Sequence, residues 1–350
     1  MGFRKPACRV EINGVDYTDR FQPLVKSIKV SDKDGLTSDT CTIKLADSGG
    51  AIALPDENDM LTVYLGDAEA GVGLVFQGRI DGVRSTGTSG GGQELTISAK
   101  GFDATGKAKG VKEKHKDNAK FGDVAKEWGK ASGMTDVVID DDLASIEDEY
   151  WSMNNESFIG WGQRVAGEIG ATFKVQGDRA MFLSADGGKT ARGRSIPDFT
   201  VTRGDNLLRW DISPIRGRPG HQKVDVEFYS AKDGKLKTKQ IEVDGQKSEV
   251  SLRSKVRASD EKNAERIARS GGKKVKRKGG SGTVTIVGSH LVKPEGKLIL
   301  VGAREGIDGE YRITGVEHDY SSKGYDVDLT VEQPQGKAGK DSRRKTKSTS

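Results

Sequence analysis

The sequence predicts a mainly β protein, with two similar small antiparallel β-barrels joined by an α+β insert. Three observations predict it. Arg-Ile-x-Gly-Val occurs twice, as Arg79-Ile80-Asp81-Gly82-Val83 and Arg312-Ile313-Thr314-Gly315-Val316. An apolar strand ending in glycine precedes each copy (Leu61 to Gly66, Leu298 to Gly302), and a polar turn and an alternating strand follow it (Glu94 to Ser98, Tyr325 to Val331). Apolar and polar residues also alternate with period two over residues 7–102, the pattern of half-buried antiparallel strands. Finally, hydrophobic content is only 33% against 31% charged, with 47 glycines and 8 prolines. That suits thin β modules better than one large enzyme interior, because glycine supplies the positive φ of hairpin turns and bulges.

The 350-residue length suits two or three domains. The expected boundaries are a first barrel over 1–105, an insert over 106–190, a second barrel over 191–335 with a short helical excursion near 259–270, and a disordered basic tail over 336–350. In the first barrel, Asn13-Gly14 separates Cys8-Arg9-Val10-Glu11-Ile12 from Val15-Asp16-Tyr17, and both turn residues tolerate the left-handed backbone of a type I′ hairpin. Further strands are expected at 27–30, 40–45, 61–65, 74–83 and 94–99. Cys8 and Cys41 fall on the inward side of their strands and read as two buried thiols, with a disulfide as the alternative.

The pattern changes after Gly101. Lys107 to Lys116 reads as a basic linker. Phe121, Val124, Ala125 and Trp128 then mark one helix face that Gly133 can terminate. A second helix begins near Asn155-Glu156-Ser157, presents Phe158, Ile159, Trp161, Val165, Ala166 and Ile169, and stops at Gly170. The hairpin Ala171–Val175 and Ala180–Leu183 follows, turning at Gly177-Asp178. Beyond a Gly/Arg-rich connector at 187–194, second-barrel strands are expected at 199–202, 207–212, 224–228, 239–243, 283–287, 297–301, 311–316 and 325–331. Ser259 is the expected cap of one interrupting helix, with Ala264, Ile267 and Ala268 on its face. Arg269 to Lys278 reads as a solvated loop.

Residues 335–350 carry six Lys or Arg against one Asp, which accounts for the formal net charge of +5. A basic footprint spread over the whole surface, as a general nucleic-acid binder would show, is absent. No window resembles a membrane helix and the first residues do not resemble a signal peptide, so the chain is expected to be made and to stay in the cytosol until assembly.

The sites that the sequence offers do not assemble into chemistry, so no catalytic, cofactor-binding or metal residue is assigned and the chain is read as no enzyme. Gly87-Thr88-Ser89-Gly90-Gly91 matches a nucleophile elbow, but Ser89 lies in a turn between antiparallel strands with no helix after it. Gly187-Gly188-Lys189-Thr190 matches the end of a phosphate loop, yet the first glycine of that motif would fall on Leu183. Asp140-Asp141-Asp142 lacks the spaced ligands of a calcium loop and reads as a helix N-terminus or solvated turn. His115, His221, His290 and His318 form no pair at metal-binding spacing.

The pattern resembles the late control D proteins of contractile-tailed phages, a family of baseplate hub proteins related to the N-terminal part of type VI secretion spikes. The resemblance is carried by Pro294-Glu295-Gly296-Lys297-Leu298-Ile299-Leu300, by Gly309-Glu310-Tyr311-Arg312-Ile313-Thr314-Gly315-Val316-Glu317-His318, and by Gly324 to Leu329. The helix Glu156-Ser157-Phe158-Ile159 with Arg164-Val165-Ala166 and Gly170 is similar as well. Met153 departs from the family's glutamine, and the usual acid after the serine is missing. The resemblance covers residues 7–333.

It implies a homotrimeric hub that adapts a sixfold tail tube to a threefold spike in the virion baseplate. The implied partners are the hexameric tail tube protein, the trimeric spike, wedge proteins and the tape measure protein, with assembly in the host bacterial cytoplasm. A module built twice fits this, because three chains then present six similar faces. The alternatives are a tail-associated cell-wall hydrolase and a nucleic-acid-binding β-barrel that uses the basic tail. Two structural expectations follow: Ile80 and Ile313 occupy equivalent buried positions, and residues 336–350 are dispensable for folding.

Overall fold

The computed structural model describes residues 5–33, 39–89, 92–101, 107–184, 195–214, 221–230, 232–243, 251–255, 257–277, 280–335 and 337–342. The first β region comprises β1 (Pro6–Ile12), β2 (Val15–Asp16), the short α1 (Thr18–Phe21), β3 (Val25–Lys33), β4 (Thr40–Ala46), β5 (Met60–Asp67), β6 (Gly71–Thr88) and β7 (Gly92–Lys100). Asn13 and Gly14 both take positive φ, 52° and 78°, as a type I′ turn requires. The middle of the chain comprises β8 (Val111–Lys120), α2 (Phe121–Ala131), β9 (Asp136–Ile139), α3 (Asp141–Ala144), β10 (Glu147–Ser157), α4 (Phe158–Ile169), β11 (Ala171–Gln176) and β12 (Arg179–Ser184). The remainder comprises β13 (Phe199–Thr202), β14 (Leu207–Ser213), β15 (Lys223–Ser230), β16 (Lys235–Glu242), β17 (Ser251–Arg253), α5 (Glu261–Arg277), β18 (Ser281–Val287), β19 (Lys297–Val301), β20 (Gly309–Ser321) and β21 (Gly324–Gln335).

A 13-stranded sheet runs through both β regions in the order β14-β18-β21-β20-β3-β4-β7-β6-β5-β1-β2, with β19 on β20 and β13 on β19. Period-two alternation turns Val10, Ile28, Ile43, Val63 and Ile97 from the first region, and Val284, Leu298, Val327 and Leu329 from the second, into one continuous core. Cys8 and Cys41 are buried in it as free thiols. Their strand partners are Leu65 for Cys8 and Val30 for Cys41. Burial pushes the Cys41 thiol well up.

The middle of the chain has a separate core dominated by aromatic rings. Phe121 meets Phe182 edge-on at 4.9 Å, and Trp128 and Trp161 stand 5.0 Å apart. Helix α4 starts on Ser157, whose Oγ accepts from Gly160 N at 3.0 Å, and stops on Gly170 at φ 75°.

The basic stretch expected to be a linker is strand β8, antiparallel to β10. Its alternation is invisible in sequence because β8 itself packs only Ala119 against the core, while β10 supplies Trp151 and Met153. The lysines serve instead as side-chain props: Lys112 Nζ donates to Ala131 O and Ser132 Oγ, both at 2.8 Å, and Lys116 pairs with Glu127.

A second difference concerns residues 223–277. The sequence places strands 224–228 and 239–243 among those of the second barrel, but β16-β15-β17 is a separate three-stranded sheet. Helix α5 covers it, burying Ala264, Ile267 and Ala268 against Val224, Val226 and Phe228. Alternation reports that a strand has one buried face, and not which layer buries it. The helix continues to Arg277 through the stretch read as a solvated loop, because Ser270 is buried and its Oγ donates to Gly167 O at 2.9 Å. Asp260, one residue after the expected Ser259, caps the helix by accepting from Asn263 N at 2.8 Å.

The third difference is at the C-terminus. Within the stretch expected to be disordered, Gly339 N donates to Gly306 O at 2.7 Å, Ser342 N donates to Glu305 at 2.8 Å, and Ala338 is buried. The connector at 187–194, including the phosphate-loop look-alike, lies outside the described residues. Among the described residues, no helix is long and apolar enough to cross a membrane.

Candidate assembly surface

The repeated pentamer has a structural meaning that can be followed residue by residue. Arg79 lies between Met60 and Lys100, and Arg312 between Lys297 and Glu332. In both copies the ladder to the next strand slips immediately afterwards, between Ile80 and Gly82 and between Ile313 and Gly315. Each slip is a β-bulge, with Asp81 and Thr314 as the extra residues, while Ile80 and Ile313 are both 1% exposed. The glycines are not there for close approach. Neither has positive φ, and an added Cβ would meet Ser98 at 3.8 Å or Thr330 at 3.5 Å, ordinary contacts.

The turn that feeds each bulge is also repeated. Asn58 N donates to Ile80 O at 2.9 Å and Ile80 N to Asp59 O at 2.9 Å; Glu295 N donates to Ile313 O at 2.8 Å and Ile313 N to Gly296 O at 2.9 Å. Asn58 and Glu295 take left-handed φ values of 72° and 67°. Asparagine adopts this region more readily than glutamate does. A further pair of slips matches on the outer strands, between Val25 and Ser27 in β3 and between Leu207 and Arg209 in β14. Five strands therefore correspond in order, β3-β4-β7-β6-β5 to β14-β18-β21-β20-β19. The sixth breaks the repeat, since β1 is antiparallel to β5 and β13 is parallel to β19.

The two copies meet where β3 pairs with the second half of β20. Lys29 bonds Asp319 at 2.8 Å and Lys33 reaches Glu317 at 3.4 Å on the wet face. On the inner face, Ile28 and Val30 lie opposite Tyr320 and His318, all four buried. His318 Nδ1 shares a 2.8 Å hydrogen bond with Tyr325 Oη. Burial, helped by nearby Lys293, pushes the His318 pKa down to about 3, so the ring is neutral and serves packing.

The middle layer is fastened to this junction by a buried charge cluster. Lys174 of β11 reaches Asp32 at 2.6 Å and Asp39 at 3.0 Å. Burial works against the charge of Asp32, but Lys174 outweighs it and holds the group below its ordinary range. Burial and then the Asp32 charge push Asp39 up to about 7. Lys293 from the other β region stands near the pair, and burial lowers its pKa. Sequence reasoning missed this cluster. Asp32 and Lys174 are 142 residues apart, and nothing in either neighbourhood marks them as partners.

The residues with chemical potential fall in separate places. Ser89 lies exposed in the turn after β6, and His115 stacks on Tyr150 with centroids 6.3 Å apart. Asp140 precedes the one-turn helix α3 and accepts from Ser184 N at 2.8 Å, so the acidic triplet is a helix start. Among the described residues, no three His, Cys, Asp or Glu side chains are grouped to hold a metal ion. The Glu156 and Arg164 of the helix motif have a structural role: Arg164 grips Glu156 through two nitrogens, at 2.5 and 3.3 Å, and bonds Glu168 at 3.1 Å and Ser152 O at 2.8 Å.

No family model matches the chain. Over 250 residues, 71% of its length, it is 27% identical to the probable baseplate hub protein of Escherichia phage 186, and over 232 residues, 66% of its length, 26% identical to that of Escherichia phage P2. The chain is homologous to these phage baseplate hub proteins. The matches span 62% and 58% of those proteins, about three fifths of their length. The fold agrees with that of a tail protein from Neisseria meningitidis MC58, with TM-score 0.69 and 15% identity over 94% of this chain and 96% of that one. It also agrees with Escherichia coli c3393, described as a component of the type VI secretion system similar in structure to the phage T4 tail proteins gp27 and gp5, with TM-score 0.57 and 13% identity over 94% of this chain and 78% of that one.

Proposed function

We propose that the chain is a structural hub of the baseplate of a contractile phage tail or phage-like injection machine, assembled in the bacterial cytoplasm and retained in the particle. The observation that carries the reading is the residue-level repeat of five strands. Homology to baseplate hubs supports the place of action, and the repeat supports a symmetry-matching role. Three copies, each with two similar units, form a ring that is threefold by chain and sixfold by surface. That ring matches a hexameric tail tube protein on one face and a trimeric spike on the other, with wedge proteins and the tape measure protein as further neighbours. The partition into units at 1–105, 106–190 and 191–335 belongs to this reading. The middle layer and the β15–β17 sheet with α5, each present once per chain, supply the threefold features.

The hub acts by binding alone, with no catalytic, cofactor or metal site. Native mass spectrometry of the purified protein, alone and with its spike, is expected to show a trimer in at least one condition. A strict monomer or dimer in both would overturn the reading. Peptidoglycan zymography is expected to show no clearing, and a clearing zone would favour the hydrolase.

A further inference from the structure

The repeat makes one strand edge conspicuous. In the second copy, β20 carries β21 on one side; on the other it carries β19 along its first residues and β3 along Gly315 to Ser321. In the first copy, β6 carries β7 on one side and β5 only up to Arg79 on the other. Among the described residues, the edge from Gly82 to Thr88 that corresponds to the β3 seat has no strand on it. The strand corresponding to β3 is β14, which ends the strand order of the large sheet among the described residues.

We propose that β14 of one copy of this chain adds to the open edge of β6 in the next copy, reproducing between chains the β3–β20 junction seen within one chain. This rests on the hub reading and specifies its subunit contact. The matched ladders fix the register without adjustment: Ser213 opposite Arg84, Ile212 opposite Ser85, Asp211 opposite Thr86, Trp210 opposite Gly87, and Arg209 opposite Thr88.

Three features of the two edges fit each other. Ile28 and Val30 of β3 are 0% and 1% exposed, whereas their counterparts Trp210 and Ile212 are only half-buried. Those are half-exposed apolar side chains on the last strand of the sheet, which covering by another strand would protect. The opposing residues complement them in size. Where the internal junction sets Tyr320 and His318 against Ile28 and Val30, the open edge offers exposed Gly87 and Ser85 to the larger Trp210 and Ile212. On the wet face, Asp211, the counterpart of Lys29, would lie diagonal to Arg84, the counterpart of Glu317, and make an opposite-charge pair. The contact is head-to-tail, so each copy uses one edge and offers the other, and a ring follows if the rotation closes.

The test uses the full chain with Thr86→Cys and Asp211→Cys together, both positions exposed. Oxidation, or a short bis-maleimide, is expected to give a ladder of covalent chains ending at three on a non-reducing gel, while each single variant stays at one chain. In parallel, Asp211→Arg is expected to weaken association about tenfold in light scattering, and Arg84→Asp with Asp211→Arg to restore it. An oligomer that forms but neither cross-links nor responds to the charge exchange overturns this pairing and leaves the hub reading standing. A protein that stays monomeric alone and with its spike overturns both.

Discussion

His318 is kept neutral by a site that encloses it and supplies one hydroxyl partner, Tyr325. Its pKa falls from the ordinary 6.5 to about 3, so below 6.5 the unfolded chain takes up a proton that the folded chain refuses. Stability from this group is complete above pH 6.5 and is lost as pH falls towards 3, by a few kcal/mol over the window. Urea midpoints at pH 7 and pH 4.5 should therefore differ less in His318→Gln, which keeps an acceptor for Tyr325, than in the wild type. Equal differences would mean that the ring titrates normally and that the junction is open to water.

At the scale of elements, the paired bulges put Ile80 and Ile313 in the same environment, each inside the common core. Either Ile→Asp change buries an unpaired carboxylate at a cost of several kcal/mol against a total stability of about 5 to 15, so soluble expression should be lost in both variants. Soluble, cooperatively folding protein from either would show that the repeated pentamer does not anchor the core. The last turn is a second element-level case. Because Ala338 is buried and Gly339 and Ser342 bond the loop at Gly306 and Glu305, truncation after Gln335 should lower the melting temperature by about 1 to 2 °C, on the order of 1 kcal/mol for a protein of this size. An unchanged melting temperature would restore the expectation of a dispensable tail.

For the whole molecule, the Lys174 cluster is one of the ties between the middle layer and the large sheet, beside the bond from Gly177 N to Gly101 O. Lys174→Met removes the cation from two largely buried carboxylates, a loss of at most about 3 to 5 kcal/mol, the cost of losing one partner of a fully buried pair. The expected result is faster limited proteolysis between the large sheet and the middle layer, with both fragments remaining folded, since each has its own hydrophobic core. Uniform unfolding would instead mean that the two cores are one cooperative unit.

The sequence by itself determined the β class, the duplication, the I′ hairpin, helices α2 and α4 with their stops, and the inward positions of Cys8, Cys41, Ile80 and Ile313. All of these depend on side-chain period or on the backbone preference of a single residue, which are written locally. Only the tertiary structure decided the rest. That β8 is a strand depends on β10, and that Arg269 to Arg277 are helical depends on a carbonyl at Gly167. The separate sheet of β15, β16 and β17, the Lys174 cluster and the β3–β20 junction all join residues distant in sequence. Edge pairing and buried ion pairs are formed by backbone groups and charges that look alike at every position along a chain. Which ones meet is settled by the packing of layers.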